Sequence, residues 1–139
     1  MTGKERILVG IDGSEDAIRA ARLAVKVARM LNATLTLVMI ENPEDYALTV
    51  ERESLLKAKE ELMWNILQTA KNEIAEEGVE IDTMIDVGNP ALKLAEMAKN
   101  GYDMVVVSRK GLGATKSLFM GSVSVRLVQH SVVPVLVVP

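Results

Sequence analysis

Short aliphatic runs alternate along this chain with longer stretches in which apolar residues return every three or four positions. The first run, RILVGI at 6–11, reads as a buried strand, and Asp12-Gly13-Ser14 breaks it as a strand-to-helix turn with Ser14 at the N-cap. From 17 to 31, Ile18, Ala21, Val25 and Ala28 recur at helical spacing, while Arg19, Arg22, Lys26 and Arg29 fall on another face and read as a solvated basic stripe. A second strand is predicted at 34–40, then a loop at about 41–46 carrying Asn42-Pro43. A long amphipathic pattern at 50–77, with Leu55, Leu62, Ile66, Ala70 and Ile74, is stopped by Gly78. The rest reads as a strand at 79–87, a short helix from Gly88-Asn89-Pro90 to Asn100, a strand at 104–107, a glycine-containing loop at about 108–117, a helix at 122–130 and a strand at 133–138.

Strictly alternating β and α elements predict an open five-stranded parallel sheet, doubly wound, with helices on both faces, in a single domain spanning 1–139. Ligands of such sheets sit outside the carboxyl ends of the strands, where the strand order reverses. Three segments follow strands in the right way: Asp12-Gly13-Ser14, the stretch from Met39 to Glu41, and 108–124.

Composition narrows the chemistry. The apolar share of 49% is almost wholly aliphatic, with 3% aromatic residues, which suits helix-on-sheet packing. Without cysteine there is no disulfide framework or thiolate metal site, and the single histidine, His130, cannot build a histidine cluster. The apolar runs at 7–11 and 132–139 are too short for a signal peptide core or a bilayer span, so a cytoplasmic protein that does not engage membranes is expected. A formal net charge of −3 offers no general attraction to nucleic acid.

The segment SRKGLGATKSLFMGSVS, 108–124, is the richest in chemistry. Gly111 and Gly113 are expected to turn the backbone with positive φ and expose amides, and Gly121-Ser122 precedes a helix whose first-turn amides favour an anion. Arg109, Lys110 and Lys116 are candidates to neutralise phosphate charge. It is neither a Walker A loop, because Thr115 and Lys110 stand where that motif needs glycine around Lys116-Ser117, nor the dinucleotide pattern, whose third glycine is replaced by Lys116. Asp12, a carboxylate at the exposed end of a buried strand, is equally placed to contact a ligand or to cap the next helix.

Together these features resemble the universal stress protein family over the whole chain. Gly111, nine residues, then Gly121-Ser122 match the second half of its nucleotide motif G-x2-G-x9-G-[ST], with Ser108 where the first glycine stands; ILVGIDGS, Gly88-Asn89-Pro90 and SVVPVLVVP match its opening strand, its G-x-P turn and its ending. The resemblance implies a Rossmann-like fold of the adenine nucleotide alpha hydrolase type that binds ATP or AMP, with Mg2+ carried on the phosphates. It implies a contact to adenine or ribose from Asp12, to the adenine ring from the backbone near Met39 and to the ribose from the Ser108 region, with Gly10, Ile11, Arg109 and Lys110 also among the binding residues. Gly111, Gly121, Ser122, Val123 and Ser124 would hold the phosphates, and the last strand would pair with its copy in a homodimer.

Other residues read more plainly. Asp103, just before the fourth predicted strand, is expected in a turn at the opposite edge; His130 favours a helix C-terminus; Trp64 covers a core edge or a partner surface; the methionines fill the core. No dedicated catalytic set is visible, since beyond Asp12 only Glu41 and the basic loop stand at strand ends. The expected function is a nucleotide-binding regulatory module with at most slow ATP hydrolysis. The alternative is a dimeric interaction protein of the same fold that does not bind nucleotide. An adenine-nucleotide-cleaving enzyme ranks last, because GIDGSE lacks the glycine and serine density of a phosphate loop after strand one.

Overall fold

A computed structural model of the chain describes residues 4–43, 52–111 and 120–139. In chain order the elements are β1 (Glu5–Gly10), α1 (Glu15–Leu31), β2 (Ala33–Glu41), α2 (Arg52–Ile74), β3 (Ile81–Val87), α3 (Pro90–Lys99), β4 (Met104–Ser108), α4 (Ser122–His130) and β5 (Val135–Val138). The strands form one sheet in the order β3-β2-β1-β4-β5, and every pairing is parallel. The chain winds outward from β1 to β3, then returns to β4 on the other side of β1. The order therefore reverses between β1 and β4, and a crevice is expected above their carboxyl ends.

Period-two alternation in the strands divides the core into two layers. Ile7, Val9, Leu35, Leu37 and Met39 pack with the α1 alanines and with Met63, Leu67 and Ala70 of α2. Leu8, Val38, Val105 and Val107 point the other way, onto Leu94 and Ala98 of α3 and Leu127 of α4. The short inner side chains Ala17, Ala20, Ala21, Ala24 and Ala28 are all buried, so α1 lies close against the sheet at the switch point.

The turn residues act as their chemistry dictates. Ser14 caps α1 by accepting from the Ala17 amide, Asn89 caps α3 by accepting from the Leu92 amide, and Pro90 follows where an N–H is not needed. Asn32 ends α1 in the left-handed region at φ 53°. Element bounds differ slightly from the sequence pattern: α2 stops at Ile74 instead of 77, β3 starts at Ile81, and β5 starts at Val135. Pro134 has no N–H to donate, so it contributes only its carbonyl, to the Val105 amide at 3.0 Å.

The basic stripe of α1 is not simply solvated. Arg19 pairs with Asp16, Arg29 with Glu76, and Arg22 lies 3.7 Å from Glu73, so two of these pairs tie α1 to the C-terminal half of α2 and its end. All are substantially exposed pairs, of small energetic weight. At the amino edge, Asp103 accepts from the Arg6 amide at 2.8 Å while Arg6 lies over the Tyr102 ring, which makes Asp103 the turn residue expected. Of the methionines, Met39 and Met63 are core, whereas Met30 is 82% exposed and fills nothing.

Gly10 owes its identity to packing. A Cβ there would stand 3.1 Å from Leu94 Cδ1 and 3.3 Å from Val107 Cγ1, in the layer between β4 and α3. Gly10→Val is expected to destabilise the fold by about 1–3 kcal/mol through overpacking. Urea unfolding with an unchanged m-value checks it; a midpoint equal to the parent's would show that α3 yields without strain.

Candidate functional site

The end of β1 is built around one carboxylate. Asp12 Oδ1 accepts from the Ser14 amide at 3.0 Å and from Ser14 Oγ at 2.6 Å, and Ser14 Oγ accepts in turn from the Ala17 amide at 3.1 Å. Gly13 between them has φ +87°, a turn that suits glycine. Asp12 thus shapes the strand-to-helix turn, while Ser14 is the cap. The other oxygen, Oδ2, faces the loop after β4: a Cβ on Gly111 would fall 2.7 Å from it.

The loop after β4 is folded back onto the start of α4 by its backbone. Arg109 donates its amide to Val138 O at 2.7 Å, and its carbonyl accepts from the Gly121 amide at 2.7 Å and from Ser124 Oγ at 2.9 Å. A Cβ on Gly121 would lie 3.3 Å from Arg109 O and 3.5 Å from both Gly111 N and Lys110 Cα. The two glycines of the motif therefore meet at the same spot. The reason differs from the sequence expectation: Gly111 and Gly121 both lie outside the left-handed region, Gly121 at φ −71°, and what they need is closeness to neighbouring atoms. Gly113 and Lys116 lie outside the described residues, as does 44–46 of the predicted loop after β2.

Ser108 closes β4, and its hydroxyl donates to Lys110 O at 2.7 Å. Among the described residues the only non-glycine with positive φ is Asn32, so serine at this motif position carries no left-handed strain. The helix that follows has Gly121 as its N-cap with no side-chain cap, and the Val125 amide bonds Gly121 O at 3.0 Å. The amides of Ser122, Val123 and Ser124 occupy the first turn, where an α-helix has no internal acceptor and where its dipole favours an anion. Ser122 is exposed, Val123 packs its side chain against the core, and the Ser124 hydroxyl turns inward.

The structure thus brings Asp12, Ser108, Arg109, Lys110, Gly111, Gly121, Ser122, Val123 and Ser124 together at the carboxyl ends of β1 and β4. The side chains of Ile11 and Met39 belong to the core, at 4% and 6% exposure. Ile11 donates its amide to Val38 O at 2.8 Å, and Met39 pairs with Ile85 in the β2–β3 ladder. Gly10 packs on α3. The Arg109 peptide, which sequence reasoning offered only as a charged side chain, is the geometric hub; a backbone role of this kind leaves no residue-type signal.

Glu41, at the same edge, has a different character. It is 4% exposed, with Oε1 buried and lacking a hydrogen-bond partner among the described residues. Burial, chiefly, and then the nearby Glu60 push its carboxyl above the ordinary carboxylate range, against the opposing pull of Lys59. The described residues contain no cluster of three or more His, Asp or Glu able to hold a metal ion, and no helix long and apolar enough to cross a membrane.

A model of the universal stress protein family matches residues 4–139. The chain belongs to this family. It is 31% identical to the universal stress protein YxiE of Bacillus subtilis over 149 residues, covering 96% of this chain and 97% of that one. Its fold is similar to that of the universal stress protein UspA from Lactobacillus plantarum, with a TM-score of 0.79, 24% identity and coverage of 99% and 100%. It is likewise similar to a universal stress protein crystallised in complex with cAMP, at TM-score 0.70, 26% identity and coverage of 99% and 98%.

The buried Glu41 carries a pH signature. Its folded-state pKa lies above the unfolded value of about 4.3, so the folded chain holds the proton more tightly, and this group lowers stability as pH rises through that window. Glu41→Gln is expected to be more stable than the parent at pH 7–8 and to lose that advantage below about pH 4, near the unfolded carboxyl's own pKa. Thermal melts across pH check it; a difference that does not change with pH would mean that the folded and unfolded chains hold the Glu41 proton equally tightly.

Proposed function

We propose that this universal stress protein binds an adenine nucleotide, ATP or AMP, across the crevice above β1 and β4. The observation that carries the reading is the meeting of Asp12, Gly111 and Gly121, in which two glycines let the loop backbone close on a carboxylate and on the start of an uncapped helix. The N-terminal turn of α4 and the Gly111 backbone would take the phosphates. Asp12 would accept from the ribose or adenine, the end of β2 near Met39 would border the adenine ring, and Arg109 and Lys110 would offset phosphate charge. Further support comes from the 26%-identical protein bound to cAMP, a molecule that presents adenine, ribose and a phosphate. Mg2+ would arrive on the phosphates, since the described residues offer no cluster of their own for it.

The role that follows is regulatory. Hydrolysis would be slow, because among the described residues no carboxylate or imidazole beside the Gly111 loop is poised as a base beyond Asp12, whose Oδ1 is already engaged by Ser14. Serine at position 108 is compatible with binding, since it is unstrained and its hydroxyl steadies the loop.

Isothermal calorimetry with ATP and AMP tests the reading. The parent is expected to bind in the micromolar range, and Gly121→Val to bind at least tenfold more weakly, because a Cβ there presses on the Arg109 carbonyl and two further groups branch from it. Folded parent protein that binds none of ATP, ADP and AMP at millimolar ligand would overturn it in favour of an interaction module without nucleotide.

A homodimer through β5 is part of the same proposal. This edge strand, VLVV, carries no charged residue, and beside it Val125, Val128 and Val132 are 39%, 49% and 73% exposed. Bare aliphatic edges are ordinarily covered or paired. Sedimentation is expected to give a dimer at micromolar concentration and a shift toward monomer for Leu136→Lys; a monomeric parent would remove the idea.

A further inference from the structure

The hydroxyl of Ser124 is a lock that does not face the crevice. The residue is 2% exposed, and its single hydroxyl hydrogen is shared between Arg109 O at 2.9 Å and Gly121 O at 3.0 Å. Arg109 O also accepts from the Gly121 amide, and Arg109 N is pinned to Val138 O in the sheet. One side chain on the first turn of α4 thereby fixes the start of that helix against a loop that is itself anchored to β5.

We propose that Ser124 is a positioning residue for the phosphate: it holds the first-turn amides of α4 at the Gly111 loop without touching the ligand. The inference rests on the nucleotide reading above and departs from it on one point, since the resemblance implies a direct phosphate contact from this residue. A hydroxyl whose one hydrogen is engaged by two carbonyls, on a buried side chain, has no proton to offer a phosphate oxygen. Its worth to binding is preorganisation, because amides held in place before the anion arrives need no ordering when it does. No carbonyl is orphaned when the hydroxyl is removed: Arg109 O retains the Gly121 amide, and Gly121 O retains the Val125 amide. The fold is therefore expected to survive the substitution while the loop and the helix loosen against each other.

Threonine and valine at position 124 have the same shape and differ only in the hydroxyl, so the pair Ser124→Thr and Ser124→Val isolates the lock. In nucleotide-free protein, Ser124→Val is expected to speed hydrogen exchange at the Gly121 amide by about tenfold relative to Ser124→Thr. By calorimetry, the valine variant is expected to bind AMP about tenfold more weakly than the threonine variant, with adenosine bound equally by both. Equal AMP affinities for the two variants would overturn the inference while leaving the nucleotide reading intact. Weakened AMP binding with unchanged exchange at Gly121 would also overturn it, in favour of direct contact. A folded parent that binds neither AMP nor ATP would sink the nucleotide reading and this inference with it.

Discussion

The peptide of Arg109 is the joint on which the candidate site depends. Its N–H is spent on Val138 at the end of β5, and its C=O on Gly121 and Ser124 at the start of α4. Through this unit the sheet dictates where a helix begins, and a helix that begins elsewhere would present its first-turn amides to a different place. The hydrogen bonds are ordinary in strength, each contributing on the order of 1 kcal/mol. Their importance is geometric: they come from two different elements and converge on the backbone of one residue.

The two motif glycines follow from that joint. If the loop were free to stand away from α4, Gly121 could carry a side chain at its unremarkable φ of −71°, and Gly111 could do the same. Both are excluded only because the joint brings the Arg109 carbonyl, the Gly111 amide and the Asp12 carboxylate within van der Waals reach of where a Cβ would be. Ser108 lies one step outside this contact, at the last position of β4, and there a side chain fits and makes a bond of its own. Glycine is thus required where backbone or carboxylate approaches, and replaceable where it does not.

This distinction also marks what could be read from the residues. The strands, the helices and their order were legible because aliphatic runs and 3.6-residue periodicity are properties of the chain itself, and because Ser14, Asn89-Pro90 and Gly78 punctuate them by local chemistry. That a candidate site would stand at the carboxyl ends of β1 and β4 was expected from the alternation of elements. What was not legible is the reason for each glycine, since spacing alone cannot separate positive φ from close approach. The ion pairs Arg22–Glu73 and Arg29–Glu76 were hidden for a similar cause: they join segments far apart in sequence, and a basic stripe looks the same whether water or a neighbouring helix faces it.

Asp12 and Glu41 both stand at the carboxyl edge of the sheet, and their surroundings assign them opposite parts. Asp12 sits at the switch point with donors from Ser14 on one oxygen and the glycine loop beside the other, an arrangement that fixes the direction of both oxygens. Glu41 lies on the same strand face as Met39, beneath α2, where burial and Glu60 disfavour its charge. A raised carboxyl is the usual raw material of a general base or acid. Here it belongs to the layer between β2 and α2, one strand removed from the loop that β4 and α4 build. Within the proposed reading, the raised carboxyl therefore lies away from the phosphates and offers them no base.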